Sequence, residues 1–243
     1  MMKNNKKLNV LGVILVFIII IGSWGLTKYL LYRKEINLLS RINKYDISIN
    51  SDSESSDSDL NIEEIREILV TWNDNREVRV HDPTINQLNM DEAVSKAIED
   101  IKYFCEKGIL PNSFKSVDAS MNTYAYLGTK VPEGTDLKDM YSYWTIKFSN
   151  EELLVELKQN AYTGQIWNIV AYDFANANVE GDNIEETLKM YANYLGISMS
   201  NYSKSELGYG SLTSDDSRVI LSYQSNTSTE KGNTRIEISL SPN

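Results

Sequence analysis

The side chain best suited to acid–base chemistry is His81, which stands in the sequence VHDP and is the one histidine of the chain. A catalytic triad or a zinc site would need further partners brought close to it in space. His-Asp-Pro is also an ordinary turn sequence, because proline fixes its φ angle. We therefore predict a structural or solvent-facing His81. A hydrolase that uses Asp or Glu side chains near His81 is the alternative.

The carboxylate pairs and the cysteine indicate little other chemistry. Glu151–Glu152 and Asp215–Asp216 are adjacent residues in predicted turns, and neighbours on a strand would point to opposite faces, which suits a two-carboxylate mechanism poorly. Cys105, the single cysteine, is predicted to be a small buried hydrophobe. Phosphate loops, nucleophile elbows and dinucleotide fingerprints are absent from the sequence. We predict no catalytic, cofactor-binding or metal-binding residue, no small-molecule substrate, and a non-enzymatic protein.

Tyrosine is the residue type that points to binding, since the chain contains 15 of them. Tyrosine provides a large contact area at low cost in conformational entropy, as in many protein interfaces. It is also a good strand former, which would explain its frequency without a function. Exposure of several tyrosines on one face would favour a protein-contact surface. The candidates for that surface are Tyr124, Tyr126, Tyr143, Tyr162 and Tyr172.

The charge of the chain is unevenly distributed and indicates a membrane protein rather than a nucleic-acid-binding one. Residues 1–44 carry +7, so the remainder carries −17 of the total of −10. An acidic body disfavours nucleic acid, which is bound through clustered Lys and Arg. Leu8 to Leu26 is an uncharged run of 19 residues, about 30 Å long as a helix. It predicts a transmembrane helix in contact with membrane lipid.

The predicted helix follows a short basic N-terminus, residues 1–7. No alanine precedes Ala93, and the cleavage site of a secretory signal is correspondingly poor, so we favour an uncleaved anchor. Residues 27–59 form a juxtamembrane segment that ends in the linker SDSESSDSD, whose composition cannot bury a core. Lysine and arginine counts favour a cytoplasmic body, whereas a short basic start is typical of export. We predict an extracytoplasmic body in a single-pass membrane protein, with a cytoplasm-facing adaptor as the alternative.

Two helices are predicted from one pattern of residues. Both begin with a capping Asn and a Glu three residues later, and both end at a Gly. They are Asn89–Lys107 and Asn183–Leu195. Each precedes several strands, which we identify from period-two alternation and turn residues. Residues 60–88, including EILVTW and EVRVHD, are expected to add strands to the first sheet. The predicted strands are TYAYLG (123–128), YWTIKFS (143–149), LLVELK (153–158), IWNIVAYDF (166–174), Tyr202–Leu207, RVILSYQ (218–224) and TRIEISL (234–240).

The hairpin VELKQNAYTGQIWNIV, with the helix and strands before it, resembles the PepSY family of small α+β domains. Asn160-Ala161-Tyr162-Thr163-Gly164 takes the place of the family's Asp-Ala-x-Thr-Gly-like turn, with Asn where Asp is common. The second unit lacks the Thr-Gly turn and resembles the family in its order of elements. The resemblance implies protein binding or inhibition rather than catalysis, an extracytoplasmic position, and similarity to anchored accessory proteins of Gram-positive bacteria. It transfers no catalytic residue.

These observations combine into one expectation for fold and function. We predict an α+β protein with an N-terminal transmembrane helix and two helix-plus-antiparallel-sheet units, residues 60–178 and 179–243. The expected function is binding or regulation of another envelope protein.

Overall fold

The computed structural model describes residues 60–130, 138–176, 183–205, 208–228 and 232–243. The predicted membrane helix (Leu8–Leu26), the basic N-terminus and residues 27–59 lie outside these ranges. Within the ranges, no helix is long and apolar enough to cross a membrane. The elements in chain order are α1 (Ile62–Asn73), β1 (Arg79–Val80), α2 (Met90–Glu106), a 3₁₀ helix (Asn112–Ser116), β2 (Asn122–Thr129), a second 3₁₀ helix (Asp139–Tyr141), β3 (Ser142–Ser149), β4 (Leu153–Asn160), β5 (Ile166–Asp173), α3 (Ile184–Leu195), β6 (Met199–Lys204), β7 (Tyr209–Ser214), β8 (Val219–Ser228) and β9 (Asn233–Pro242).

The nine strands form one antiparallel sheet in the order β1-β2-β3-β4-β5-β9-β8-β7-β6. The predicted fold class, with two helix-plus-sheet units of the α+β type, is therefore wrong. The last strands of the two meanders, β5 and β9, pair with each other, as at Ile169↔Ile238. An unpaired strand edge leaves backbone N–H and C=O groups without partners. Pairing of β5 with β9 satisfies two such edges at once and merges the expected sheets into one.

Helices α2 and α3 begin and end where the sequence predicts. Asn89 and Glu92 form a complete capping box, with reciprocal side-chain to backbone hydrogen bonds of 3.0 and 2.9 Å. The Asn183 side chain accepts a hydrogen bond of 3.2 Å from the N–H of the third residue of α3. Left-handed glycines follow both helices, Gly108 with φ 73° and Gly196 with φ 70°. Local polar signals thus determine both helices.

The segment EILVTW, which the sequence analysis expects to add a strand, is instead the second half of α1. Asn61 caps this helix and forms a capping box with Glu64. EVRVHD contributes the two-residue strand β1, which pairs with the end of β2. The apolar residues of this segment recur with a helical period, so a helix brings them all onto the core. The buried apolar members of that set are Ile65, Ile68, Leu69 and Trp72.

Helices α2 and α3 pack side by side on one face of the sheet. The ring centroid of Phe104 in α2 lies 5.2 Å from that of Tyr191 and 4.8 Å from that of Tyr194, both in α3. The Tyr194 hydroxyl donates to the buried Asp100 carboxylate at 2.8 Å. It also accepts from the N–H of Ile166 at 2.9 Å. One tyrosine hydroxyl thus ties α2, α3 and β5 together.

The turn between β4 and β5 forms as the sequence predicts, with Gly164 at φ 72°. The Asn160 side-chain oxygen accepts from the N–H groups of Tyr162 and Thr163, both at 2.9 Å. Its amide nitrogen donates to the carbonyl of Met140 at 3.1 Å. An ionised Asp can only accept hydrogen bonds. Asn therefore suits this buried position because it both accepts and donates.

Candidate protein-contact surface

Burial alternates along the strands with a period of two, which separates the helix-covered face from the opposite face. On β9, for example, Ile236 and Ile238 are buried while Glu237 and Ser239 are half-buried. Directly paired residues share a face, so the register carries this alternation across the sheet. We call the opposite face the open face. Two rows of paired residues define it, Tyr124–Lys147–Glu156–Val170–Glu237–Gln224 and Tyr126–Thr145–Lys158–Asn168–Ser239–Ser222.

The β1–β2 end of the open face is apolar and aromatic. Tyr124 is 50% exposed, and its ring centroid lies 5.7 Å from that of Tyr126. Val80 pairs directly with Gly128, and both Val78 and Val80 are exposed. A β-carbon at Gly128 would lie 2.6 Å from Cγ1 of Val78, so glycine allows this close approach. We call Val78, Val80, Tyr124 and Tyr126 the apolar patch. Its two tyrosines are among the candidates predicted from the sequence, and its two valines are not.

Tyr143, one of the predicted contact residues, faces the same side as Tyr126 but is only 2% exposed. It is therefore too buried to belong to a contact surface. The reason is Trp72 of α1, whose ring centroid lies 4.8 Å from that of Tyr143 and 4.8 Å from that of Trp167. Burial raises the pKa of Tyr143 to about 12. Tyr143 therefore lies on the open face where α1 covers it, as part of an aromatic cluster with Trp72 and Trp167.

The two remaining tyrosine candidates lie apart from the apolar patch. Tyr172, on β5, accepts a hydrogen bond of 2.9 Å from Nε of Arg235, and its ring stacks on Phe174 with centroids 5.9 Å apart. Two strands separate it from Tyr124. Tyr162 is half-buried in the turn between β4 and β5. The structure thus groups Tyr124 with Tyr126, and leaves Tyr172 and Tyr162 elsewhere.

Lys158 lies near the centre of the open face, and the sequence analysis did not single it out. Its amine is 5.3 Å from the centroid of the Tyr143 ring. Burial, and next the nearby Lys130, lower the pKa of Lys158, while Glu156 on the same strand opposes this shift. Its neighbours in the adjacent strands are Thr145 and Asn168, both uncharged.

His81 occupies a position between β1 and the start of β3. Its Nδ1 lies 2.8 Å from the carbonyl oxygen of Asp82, and its Nε2 lies 3.3 Å from the hydroxyl of Ser142. A histidine beside a serine resembles a base beside a nucleophile. Ser142, however, has no exposed surface for a substrate to reach. The His81 N–H donates to the Leu127 carbonyl at 3.3 Å, and this geometry agrees with a structural role.

Cys105, Asp215 and Asp216, the other candidates for chemistry, are buried or engaged in local hydrogen bonds. Cys105 is buried, as predicted, and burial raises the pKa of its thiol to about 11. Asp215 accepts a hydrogen bond of 2.5 Å from the Ser198 hydroxyl, and Asp216 one of 2.7 Å from the Ser214 hydroxyl, in the turn after β7. Across the described ranges, no cluster of three or more His, Cys, Asp or Glu side chains could hold a metal ion.

Two grooves border α1, and His81 lines neither of them. The larger, of about 380 Å³, follows the exposed side of the helix. Its carboxylates are already engaged, since Glu63 pairs with Arg218 and Glu67 pairs with Lys138 at 3.6 Å. The smaller, of about 270 Å³, lies between the start of α1 and the end of α3. A pocket that gathers His81 with two carboxylates, as the hydrolase alternative requires, is thus not among these grooves.

Comparisons of the chain with protein-family models, curated proteins and solved structures found no match. The resemblance to PepSY domains stays a prediction.

Proposed function

We propose that this chain is a membrane-anchored, non-enzymatic, extracytoplasmic protein that binds another envelope protein through the open face of its sheet. The apolar patch carries this proposal, because Val80 and Tyr124 are both large, exposed and on the same face. A contiguous exposed apolar area marks interaction sites more often than a scattering of single residues does.

The remainder of the open face has the composition of an adaptable interface. Towards β8 it carries Gln224, Ser222 and Ser239, and the two serine hydroxyls lie 2.8 Å apart. Tyrosine combined with serine provides rigid contact area together with adaptable hydrogen bonding. Arg235 and Glu237 pair with each other at 2.5 Å. Low net charge with exposed aromatics is typical of an interface core.

The sequence supports the membrane part of the proposal. Leu8–Leu26 is long enough and apolar enough for a membrane span, and the Ser/Asp-rich stretch 51–59 would separate it from the sheet. A Ser/Asp-rich connection of this length would let a membrane-tethered domain reach a neighbour in the same envelope. Binding by the open face does not depend on membership of the PepSY family.

The test is site-specific photo-crosslinking of the full chain in cells. Benzoylphenylalanine replaces Tyr124 on the open face or, as the matched control, Tyr103 on α2, which is 38% exposed. We expect a discrete protein adduct from position 124 and none of that size from position 103. Val80→Asp should weaken the adduct roughly tenfold, a change of about 1.4 kcal/mol that is ordinary for an interface anchor.

Val70→Asp is the control for the introduced charge, because Val70 is comparably exposed but lies on α1. It should leave the adduct from position 124 unchanged. Absence of that adduct, or equal adducts from positions 124 and 103, would show that the open face is not a specific protein-contact surface. Mass spectrometry of the adduct then identifies the bound protein.

A further inference from the structure

Lys158 differs from the other cations of the open face in its neighbours. Lys147 stands directly opposite Glu156 in the strand register. Arg235 forms an ion pair with Glu237 at 2.5 Å. Within the described ranges, Lys158 has no carboxylate opposite it on either adjacent strand. These two positions hold Thr145 and Asn168 instead.

The surroundings of Lys158 make its charge costly in the free protein. The amine is half-buried and contacts the face of the Tyr143 ring at 5.3 Å. A half-buried ammonium loses hydration that a single cation–π contact only partly replaces, and the exposed Glu156 two residues away on the same strand offsets part of that loss. Lys130 adds repulsion, and its own amine is already bound to the carbonyl oxygens of Trp72 and Asp74, at 2.7 Å for Trp72. The lowered pKa of Lys158 reflects burial first and Lys130 second.

Thr145, directly opposite Lys158, adds no carboxylate and is itself a buried polar group without a partner among the described residues. Its residue is 6% exposed, and its hydroxyl oxygen is buried without a hydrogen-bond partner in the described part of the chain. Buried hydroxyl groups almost always have a partner, so an orphan calls for an explanation. The Thr145 hydroxyl and the Lys158 amine, which has no carboxylate opposite it on either adjacent strand of the described sheet, thus lie side by side, and Thr145 is also paired with Tyr126.

We propose that Lys158 receives one acidic side chain of the bound protein, beside the apolar patch that packs against the same partner. This inference rests on the proposed function, because it names the chemistry that the partner must offer to the open face. An incoming carboxylate would accept hydrogen bonds from the Lys158 amine.

A carboxylate fits this position better than a phosphate does. Phosphate sites usually combine several cations, an arginine fork or a helix N-terminus. Here one amine is available, since Lys147 faces Glu156 and Lys130 is held by backbone carbonyls. The acidic partner chain is therefore expected to contribute one Asp or Glu flanked by apolar residues that cover Tyr124 and Tyr126.

The test repeats the crosslinking from position 124 in full chains that carry Lys158→Met or the matched control Lys147→Met. Methionine keeps an apolar stem and removes only the charge and the donors. Loss of one desolvated charged hydrogen bond should weaken the adduct roughly 10- to 100-fold. Loss of Lys147, which already faces a carboxylate, should weaken it less than about fivefold. Unfolding midpoints verify that both variants fold.

The outcomes separate the inference from the proposed function. An adduct that persists in Lys158→Met at the strength seen in Lys147→Met overturns the inference and leaves the proposed function intact. If the chain with native Lys158 and Lys147 gives no adduct from position 124, the proposed function itself is refuted. A lipid rather than a protein in the adduct overturns both. In the positive case, replacing the partner's acidic residue by Lys should restore binding to a Lys158→Glu chain, which a merely structural role of Lys158 would not produce.

Discussion

Trp72 connects α1 to the aromatic cluster around Tyr143, and its replacement tests how firmly this helix is docked. The side chain is 5% exposed, contacts Tyr143 and Trp167, and donates from Nε1 to the Tyr141 carbonyl at 2.8 Å. A buried tryptophan removes about 200 Å² from water. At about 25 cal/mol per Å² this amounts to about 5 kcal/mol. Measured Trp→Ala changes of about 3–5 kcal/mol suggest about 4 kcal/mol here.

Trp72→Ala should therefore lower the free energy of unfolding by about 4 kcal/mol, a large share of the total of about 5–15 kcal/mol for a domain. Trp72→Phe should cost about 1–3 kcal/mol, because it keeps a ring but leaves the Tyr141 carbonyl without its indole donor. Val70→Ala is the matched control on the same helix, since Val70 is 48% exposed. It should change stability by less than about 0.5 kcal/mol.

The assay is urea unfolding of the detergent-solubilised full chain, followed by circular dichroism because tryptophan fluorescence changes with the substitution itself. The difference in midpoints at constant slope gives the change in free energy. A loss below about 1 kcal/mol for Trp72→Ala would refute the docking of α1 on this cluster, since no buried tryptophan is that inexpensive to truncate. Equal losses in Trp72→Ala and Val70→Ala would point to helix propensity instead of packing.

Two further predictions concern pH and topology. Burial raises the pKa of Asp100 above 3.8 despite Lys96 and Tyr194. Its contribution to stability is thus fully present below the unfolded pKa and is lost as pH rises through the folded pKa. Asp100→Asn still accepts the hydrogen bond from Tyr194. Its urea midpoint should rise relative to that of the wild type as pH rises through that window. A difference between the two midpoints that does not change with pH would contradict the raised pKa of Asp100. Ile85 is 99% exposed, so Ile85→Cys in intact cells should react with an impermeant maleimide if the body is extracytoplasmic. The wild type serves as the unlabelled control because Cys105 is buried, and labelling only after lysis would favour the cytoplasm-facing alternative.

Local signals in the sequence were sufficient for α2, α3 and the β4–β5 hairpin. A capping Asn, a Glu three residues on and a terminal Gly involve neighbours along the chain, and their hydrogen bonds form as predicted at Asn89 and Glu92. The same Asn-x-x-Glu signal was present at Asn61 and Glu64. EILVTW was nevertheless expected to add a strand, and it is helical instead. The capping signal proved the stronger guide.

Non-local pairings are the part that the sequence did not reveal. Each meander, taken alone, has a last strand with one unpaired edge. The residues of β5 and β9 carry no local signal that predicts their pairing with each other. The burial of Tyr143 likewise depends on Trp72, which is 71 positions away along the chain. The alternation in LLVELK predicts that Lys158 and the buried Leu157 point to opposite faces of the sheet. Only the register shows that its cross-strand neighbours are uncharged.

Joining the two meanders also determines whether the open face is large enough to bind a protein. Strands such as β3 contain eight residues, or about 26 Å at roughly 3.3 Å per residue. Four strands at about 4.8 Å would cover a width of about 19 Å and roughly 500 Å² of one face. Eight strands double this to roughly 1,000 Å², from which the part that Trp72 of α1 covers at Tyr143 is to be subtracted. A standard protein interface needs about 800 Å² per partner. The β5–β9 pairing therefore provides the area around Lys158 and the apolar patch that a single meander could not.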